Sequence, residues 1–204
     1  MSSDSRTEFH AAFQAIIAVL NSDTNDALGR LFDLTASRLV RLALTVTGSQ
    51  PDAEDAVQGA FSRIARKPKL LAKADTPWPY LIRTVRNESL RIVQKRRHVR
   101  MGDLDTAGSQ QTPESVFHQE ETAERVRRIL ATLPKPQYDV VILKHWEDLT
   151  FAEIADVLGK SQNTVASRYR YAMEKLQRSL EPLVNDRQAD LPTRPILPEK
   201  TPAS

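Results

Sequence analysis

Almost everywhere in this chain of 204 residues, apolar side chains recur three and four positions apart, not at every second position. That period marks one face of a helix, so the chain is expected to be all-α, built from helices packed on helices. The one β-branched cluster, Asp139 to Leu143, is short. From Asp26 the positions Leu28, Leu31, Phe32, Leu39, Leu42, Ala43 and Val46 keep helical spacing until Thr47, Gly48, Ser49, Gln50 and Pro51 interrupt it. One long amphipathic helix is predicted there, preceded by another over Phe9 to Leu20. A further helix is expected to start near Pro51, a residue suited to the first turn, with Asp52, Glu54 and Asp55 facing the positive end of its dipole. Its inner face would be Ala53, Ala56, Val57, Ala60, Phe61 and Ile64.

Lys67 to Pro79, with prolines at 68, 77 and 79, is expected to be a loop holding at most one helical turn, followed by a long helix from about Tyr80 to Arg97. Between Met101 and Pro113 the composition turns to Gly, Asp, Ser, Thr and Gln with hardly an apolar residue, as in a flexible linker. The chain is therefore expected to fold as two small helical domains, 1–100 and 114–183, joined by the linker 101–113. Five prolines within the last 23 residues predict a disordered tail over 184–204.

Charge is distributed far less evenly than its total of +3 implies. Arg63 to Arg100 carries 12 Lys or Arg against two acids, Asp75 and Glu88. Residues 101–124 carry six acids and no Lys or Arg, so the linker is acidic. A merely solvated helix face interleaves both signs. Arg83, Arg86, Arg91, Lys95, Arg96, Arg97 and Arg100 have one acidic neighbour among them, which points to a polyanionic partner. Trp78 and Tyr80 stand at the start of that basic helix. For Trp78, stacking on unpaired bases and pinning the loop to the core are equally compatible with its setting. Asn87, uncharged among cations, can read a base edge or simply be solvated.

The second domain holds a more local pattern. Phe151, Ile154, Ala155 and Leu158 make a short helix, Gly159 permits a tight turn and Ser161 can cap the next helix, the layout of a helix-turn-helix. Val165, Tyr169, Ala172, Met173 and Leu176 would be the buried side of its second helix. That leaves Asn163, Thr164, Ala166, Ser167, Arg168, Arg170 and Tyr171 near the open face, the turns that enter the major groove in this motif.

Several classes of function are disfavoured. With no cysteine, disulfides, thiolate metal sites and cysteine nucleophiles drop out, and a reducing compartment, the cytoplasm, is expected. The four histidines lack ligand spacing and no glycine-rich phosphate loop occurs among six glycines, so no metal and no nucleotide cofactor are expected and an enzyme built on either is disfavoured. The polar start of the chain and the shortness of Phe9 to Leu20 argue against an export signal and against membrane insertion. An ordinary helix-turn-helix regulator acting on duplex DNA would explain the second domain and leave the first unexplained; a helical adaptor with no nucleic-acid partner would explain neither basic surface.

Two stretches together resemble the extracytoplasmic-function sigma factors of bacterial RNA polymerase. One is Asp52-Ala-Glu-Asp-Ala-Val-Gln-Gly-Ala-Phe, with Asn87 lying 26 residues after Phe61 inside Tyr-Leu-Ile-Arg-Thr-Val-Arg-Asn. The other runs from Leu133-Pro-Lys-Pro-Gln through Glu153-Ile-Ala-Asp-Val-Leu-Gly to Thr164-Val-Ala-Ser-Arg-Tyr-Arg-Tyr-Ala. The resemblance, over roughly residues 12–180, implies a transcription initiation factor that directs core RNA polymerase to promoter DNA and helps open it, with no enzyme activity, no cofactor and no small-molecule substrate of its own. Asp55, Gln58 and Phe61 would dock on the polymerase, with a place in the core also open to Phe61. By the same resemblance Asn87 would capture a flipped base of the minus-ten element, Arg83, Arg86, Lys95, Arg96 and Arg97 would contact its phosphates, and Lys67 to Pro79 would hold the melted strand. Thr164, Ser167, Arg168, Arg170 and Tyr171 would read the minus-thirty-five element, and the acidic linker would run through a basic channel of the polymerase. An anti-sigma protein is a further partner the resemblance admits. Departures from the family's common pattern at Leu71 to Lys73, Tyr80, Arg91, Asn163 and Ala166 mean that no promoter consensus is carried over.

Overall fold

The computed structural model describes residues 3–102, 126 and 128–189. These residues form helices and no strand: α1 Ser3–Val19, α2 Thr24–Thr47, α3 Gln50–Arg66, α4 Pro68–Ala72, α5 Pro77–Gly102, α6 Lys135–His145, α7 Phe151–Leu158 and α8 Gln162–Ala189. They fall into two compact units. One gathers α1 to α5 with α7, the other α6 with nearly all of α8. Of the linker expected over 101–113, residues 101 and 102 continue α5, and of the disordered tail expected over 184–204, residues 184–189 continue α8, since no proline stands between 183 and 191 to end it; the rest of both lies outside the described residues. No described helix is long and apolar enough to cross a membrane.

In the first unit, α2, α3 and α5 pack on one another and α1 lies along α2. The apolar face predicted for α3 is buried throughout, from Ala53 to Ile64. That helix admits Pro51 in its first turn, where no N–H partner exists to lose. The end of α2 is closed by Gly48 in the left-handed region (φ 65°), its N–H donating to the Leu44 carbonyl at 2.9 Å. The α2 face turned inward is Ala27, Leu31, Thr35, Arg38, Leu39, Leu42 and Ala43. Phe32, expected there, is 38% exposed. Thr35 and Arg38 take buried places because each polar group has an outlet. The Thr35 hydroxyl donates to the Leu31 carbonyl at 2.7 Å, and the Arg38 guanidinium lies over the rings of Phe9 (4.0 Å) and Trp78 (5.2 Å).

The segment before α5 contains the single helical turn expected of it, α4, whose Leu71 is fully buried. α5 itself starts three residues before Tyr80, because Pro77 and Pro79 both fit the first turn of a helix, and it runs on past Arg97 to Gly102. Trp78 is 3% exposed, edge-on to Phe9 and Phe13 at ring distances of 5.1 and 5.4 Å. Its ring anchors the start of α5 and offers no face for a base.

In the second unit Leu130, Leu133, Val141 and Ala172 form a small core, flanked by Tyr138, Met173 and Leu176. Two polar ties fasten α8 to the rest of this unit: Lys175 Nζ donates to the Thr132 carbonyl at 2.6 Å, and His145 Nε2 lies 3.0 Å from the Tyr169 hydroxyl.

Candidate nucleic-acid interface

α5 presents the longest one-sign surface of the described residues. It carries seven Lys or Arg and one acid, Glu88. Arg83, Asn87 and Arg91 are spaced four apart and all exposed, and Gln94, Lys95 and His98 extend the same stripe. Asn87 thus sits at the middle of a cationic face with its amide open to solvent. Arg83 makes an ion pair with Asp156 at 3.2 Å inside the first unit, and Arg86 is half-buried. Lys95, Arg96 and Arg97 are exposed, but Arg96 is engaged by Asp52 of α3. That pairing gives the nearly buried Asp52 a role that its place in the first turn of α3 had not disclosed.

Glu88 is the residue whose importance the sequence did not reveal. It is 4% exposed, and its carboxylate accepts hydrogen bonds from Arg63 of α3 and from Arg91 Nε, the latter at 2.7 Å. Burial alone would push its carboxyl up; the hydrogen bonds from Arg91 and Arg63, with their charges, together outweigh that and hold it below the usual carboxylate range. The available signal was a lone acid within the most basic stretch of the chain. A β-carbon on Gly59 would stand 3.6 Å from Glu88 Oε2, so this point of α3 passes close to the carboxylate.

Of the residues expected on the polymerase side of α3, Asp55 and Gln58 are exposed. Phe61 is buried, its ring edge-to-face with Phe32 at 5.1 Å. The structure brings Phe61 into the core and leaves part of the Phe32 ring at the surface.

The helix-turn-helix expected from sequence has its elements in order. α7 is closed at both ends by its own chain. Thr150 and Glu153 form a capping box, the Thr150 hydroxyl accepting from Glu153 N at 3.2 Å and Glu153 Oε2 accepting from Thr150 N at 2.7 Å. At the other end Gly159 adopts φ 61°, Lys160 N donates to the Ala155 carbonyl at 2.9 Å and Gly159 N to the Asp156 carbonyl at 3.3 Å, a Schellman motif. In α8, Val165 and Ala172 are fully buried, while Arg170 and Tyr171 are exposed and Thr164, Ser167 and Arg168 are half-buried. The Ser167 hydroxyl donates to the Thr164 carbonyl at 3.0 Å, so it keeps only acceptor capacity toward a partner. The Arg170 guanidinium lies 5.0 Å from the Tyr171 ring and 3.9 Å from Glu174 Oε1. Among the described residues no group of His, Cys, Asp or Glu is arranged to hold a metal ion.

Comparison with known proteins agrees with the all-helical fold and with the order of its two regions. The Sigma-70 region 2 family matches residues 31–99 and the Sigma-70 region 4 family matches residues 123–176. The ECF RNA polymerase sigma factor SigL of Mycobacterium tuberculosis is 32% identical over 161 residues, which cover 75% of this chain and 88% of SigL. SigE of Mycolicibacterium smegmatis is 31% identical over 147 residues, 70% of this chain, and the match spans 57% of that relative's length. Two solved structures share the fold at 22% identity. One is the sigma factor RpoE of Bartonella quintana in complex with the anti-sigma factor NepR, with a TM-score of 0.59 over 74% of this chain and 94% of that one. The other is CnrH in complex with the cytosolic domain of CnrY, with a TM-score of 0.55 over 84% and 98%. With both regions present in order and SigL matched over most of its length, the chain belongs to the extracytoplasmic-function sigma factors of RNA polymerase, the factors that direct that enzyme to promoters.

Proposed function

We propose that the chain mounts on core RNA polymerase through the Asp55 and Gln58 face of α3 and captures an unpaired minus-ten base at Asn87. In this reading α8 reads an upstream duplex element with Thr164, Ser167, Arg168, Arg170 and Tyr171. The observation that carries it is the exposed Asn87 amide, centred on a face whose charged members are all cationic. Flipping a base costs a few kcal/mol of stacking. An amide that donates and accepts can meet a base edge, while flanking arginines neutralise the backbone. Region 4 hosts the second contact, and the exposed Arg170 and Tyr171 supply charge and an amphipathic ring to it.

The chain performs no chemistry in this scheme: it binds, positions and holds DNA apart, and nucleotide addition belongs to the polymerase. It works in the cytoplasm beside that enzyme. Both solved neighbours were captured with a protein bound, an anti-sigma factor in the RpoE complex, and an anti-sigma protein is part of the scheme for this chain as well. Run-off transcription with purified core polymerase on a genomic fragment library tests the scheme, and permanganate footprinting on a responding fragment tests Asn87. Asn87→Ala is expected to reduce thymine reactivity in the melted region while leaving affinity for core polymerase unchanged. Normal reactivity rejects the assignment, and a folded chain that recovers no polymerase subunits rejects the whole scheme.

A further inference from the structure

We propose that Arg63 and Arg91, locked onto the buried Glu88, form a clamp for one backbone phosphate of single-stranded DNA beside Asn87. The inference rests on strand capture along α5 and deepens it. A carboxylate that is 4% exposed must be paired, and one guanidinium would balance its charge. Here there are two, from different helices, and the cluster keeps a net charge of +1. The excess faces outward, since the Arg63 and Arg91 side chains are 60% and 64% exposed. Arg91 engages Glu88 through Nε and Arg63 through one terminal nitrogen, so each planar fork keeps further N–H donors toward solvent. Both side chains have already given up the rotamer freedom that an unattached arginine would lose on binding. One phosphodiester matches the residual charge and the fork geometry together.

Placement selects DNA over an acidic protein surface. Arg91 lies one turn beyond Asn87 on the same face, about 6 Å along the axis. A strand whose base enters at Asn87 therefore carries a neighbouring phosphate past Arg91. Arg63 is turned about 80° around α3 from Asp55 and about 140° from Gln58, away from the face assigned to polymerase. A phosphate clamp adds affinity without reading sequence, so a random-sequence probe suits it.

The test measures binding of reconstituted holoenzyme to a labelled, random-sequence, single-stranded DNA of about 20 nucleotides at salt concentrations from about 50 to 400 mM. Arg63→Gln and Arg91→Gln preserve polar, hydrogen-bonding side chains and are each expected to flatten the slope of log affinity against log salt by about 0.7, the value for one fewer phosphate neutralised on a single strand. Because both forks grip the same phosphate, the double variant is expected to flatten it no more than either single change. Arg30→Ala on α2 is expected to leave the slope as it was. Doubling of the effect in the double variant would mean two independent phosphates and no clamp. Unchanged slopes with weakened core-polymerase affinity would place the site on an acidic protein surface and overturn the proposal. Flattened slopes alongside normal permanganate reactivity in Asn87→Ala would keep the clamp and remove base capture; reduced reactivity in Asn87→Ala with unchanged slopes would do the reverse.

Discussion

The buried carboxylate of Glu88 holds two guanidiniums of the first unit at once. Glu88 of α5 ties that helix to α3 through Arg63, while Arg91 of its own helix bonds the same carboxylate, and its folded-state pKa lies below the ordinary 4.5. A depressed pKa means the unfolded chain binds the proton more readily, so Glu88 contributes stability that is complete above the unfolded value and is lost as pH falls through the folded one. Glu88→Gln is expected to lower stability by about 1–3 kcal/mol at neutral pH, because two guanidiniums lose their counter-charge. Thermal melts followed down to about pH 3 should show the gap between variant and parent narrowing once the pH passes below 4.5; a gap that stays constant would show that the charge is not what stabilises. In sequence this residue stands out only as an exception in a basic run. Its partner Arg63 is 25 positions away on another helix, and spacing carries no information about such a meeting.

At the scale of the element, what was legible is what chemistry within a turn or so of the residue decides. The caps at Gly48 and Gly159 and the first-turn Pro51 are read from local chemistry, which the chain supplies within a turn or so of each helix end. The inner face of α3 was legible because its apolar residues keep an unbroken helical period. α2 was less so: Phe32 stays at the surface, while Thr35 and Arg38 go inward. A hydroxyl that bonds its own helix, and a guanidinium that finds aromatic rings on α1 and α5, are decided by packing and not by periodicity. The start of α5 was displaced for a similar reason, since prolines that usually end a helix are harmless in its first turn. Two glycines give a paired test with opposite signs. Gly29, in the interior of α2, has no atom within 4 Å of the point where a β-carbon would stand, so Gly29→Ala is expected to stabilise by about 0.5–1 kcal/mol. Gly159 holds φ 61°, so Gly159→Ala is expected to cost about 1 kcal/mol. Chemical denaturation of both variants measures this, and equal signs would contradict the conformational argument.

For the whole molecule, the near-balance of 29 basic and 26 acidic residues conceals a strong separation. Cations crowd α5 and the turns before it, while the acids of 101–124 fall almost entirely in the segment between the two matched regions. Such separation suits a protein that must meet a polyanion at one place and a basic surface at another. Replacing Asp103, Asp105 and Glu114 with Asn or Gln is expected to reduce initiation without altering affinity for upstream duplex DNA. Run-off transcription beside a duplex binding assay checks this, and full initiation by the triple variant would remove the linker from the mechanism. The all-helical class and the two-region order were legible because they rest on local period and short motifs.

The burial of Trp78 between Phe9 and Phe13 reaches further than the core it fills. Because the indole roots the first turn of α5, the N-terminal segment serves as a buttress for the α5 face proposed to hold a melted strand. A shortened protein begun at Thr24 would leave the ring without its walls, and the resulting slack at the base of α5 would surface as faulty promoter opening, an injury easily mistaken for a damaged DNA contact.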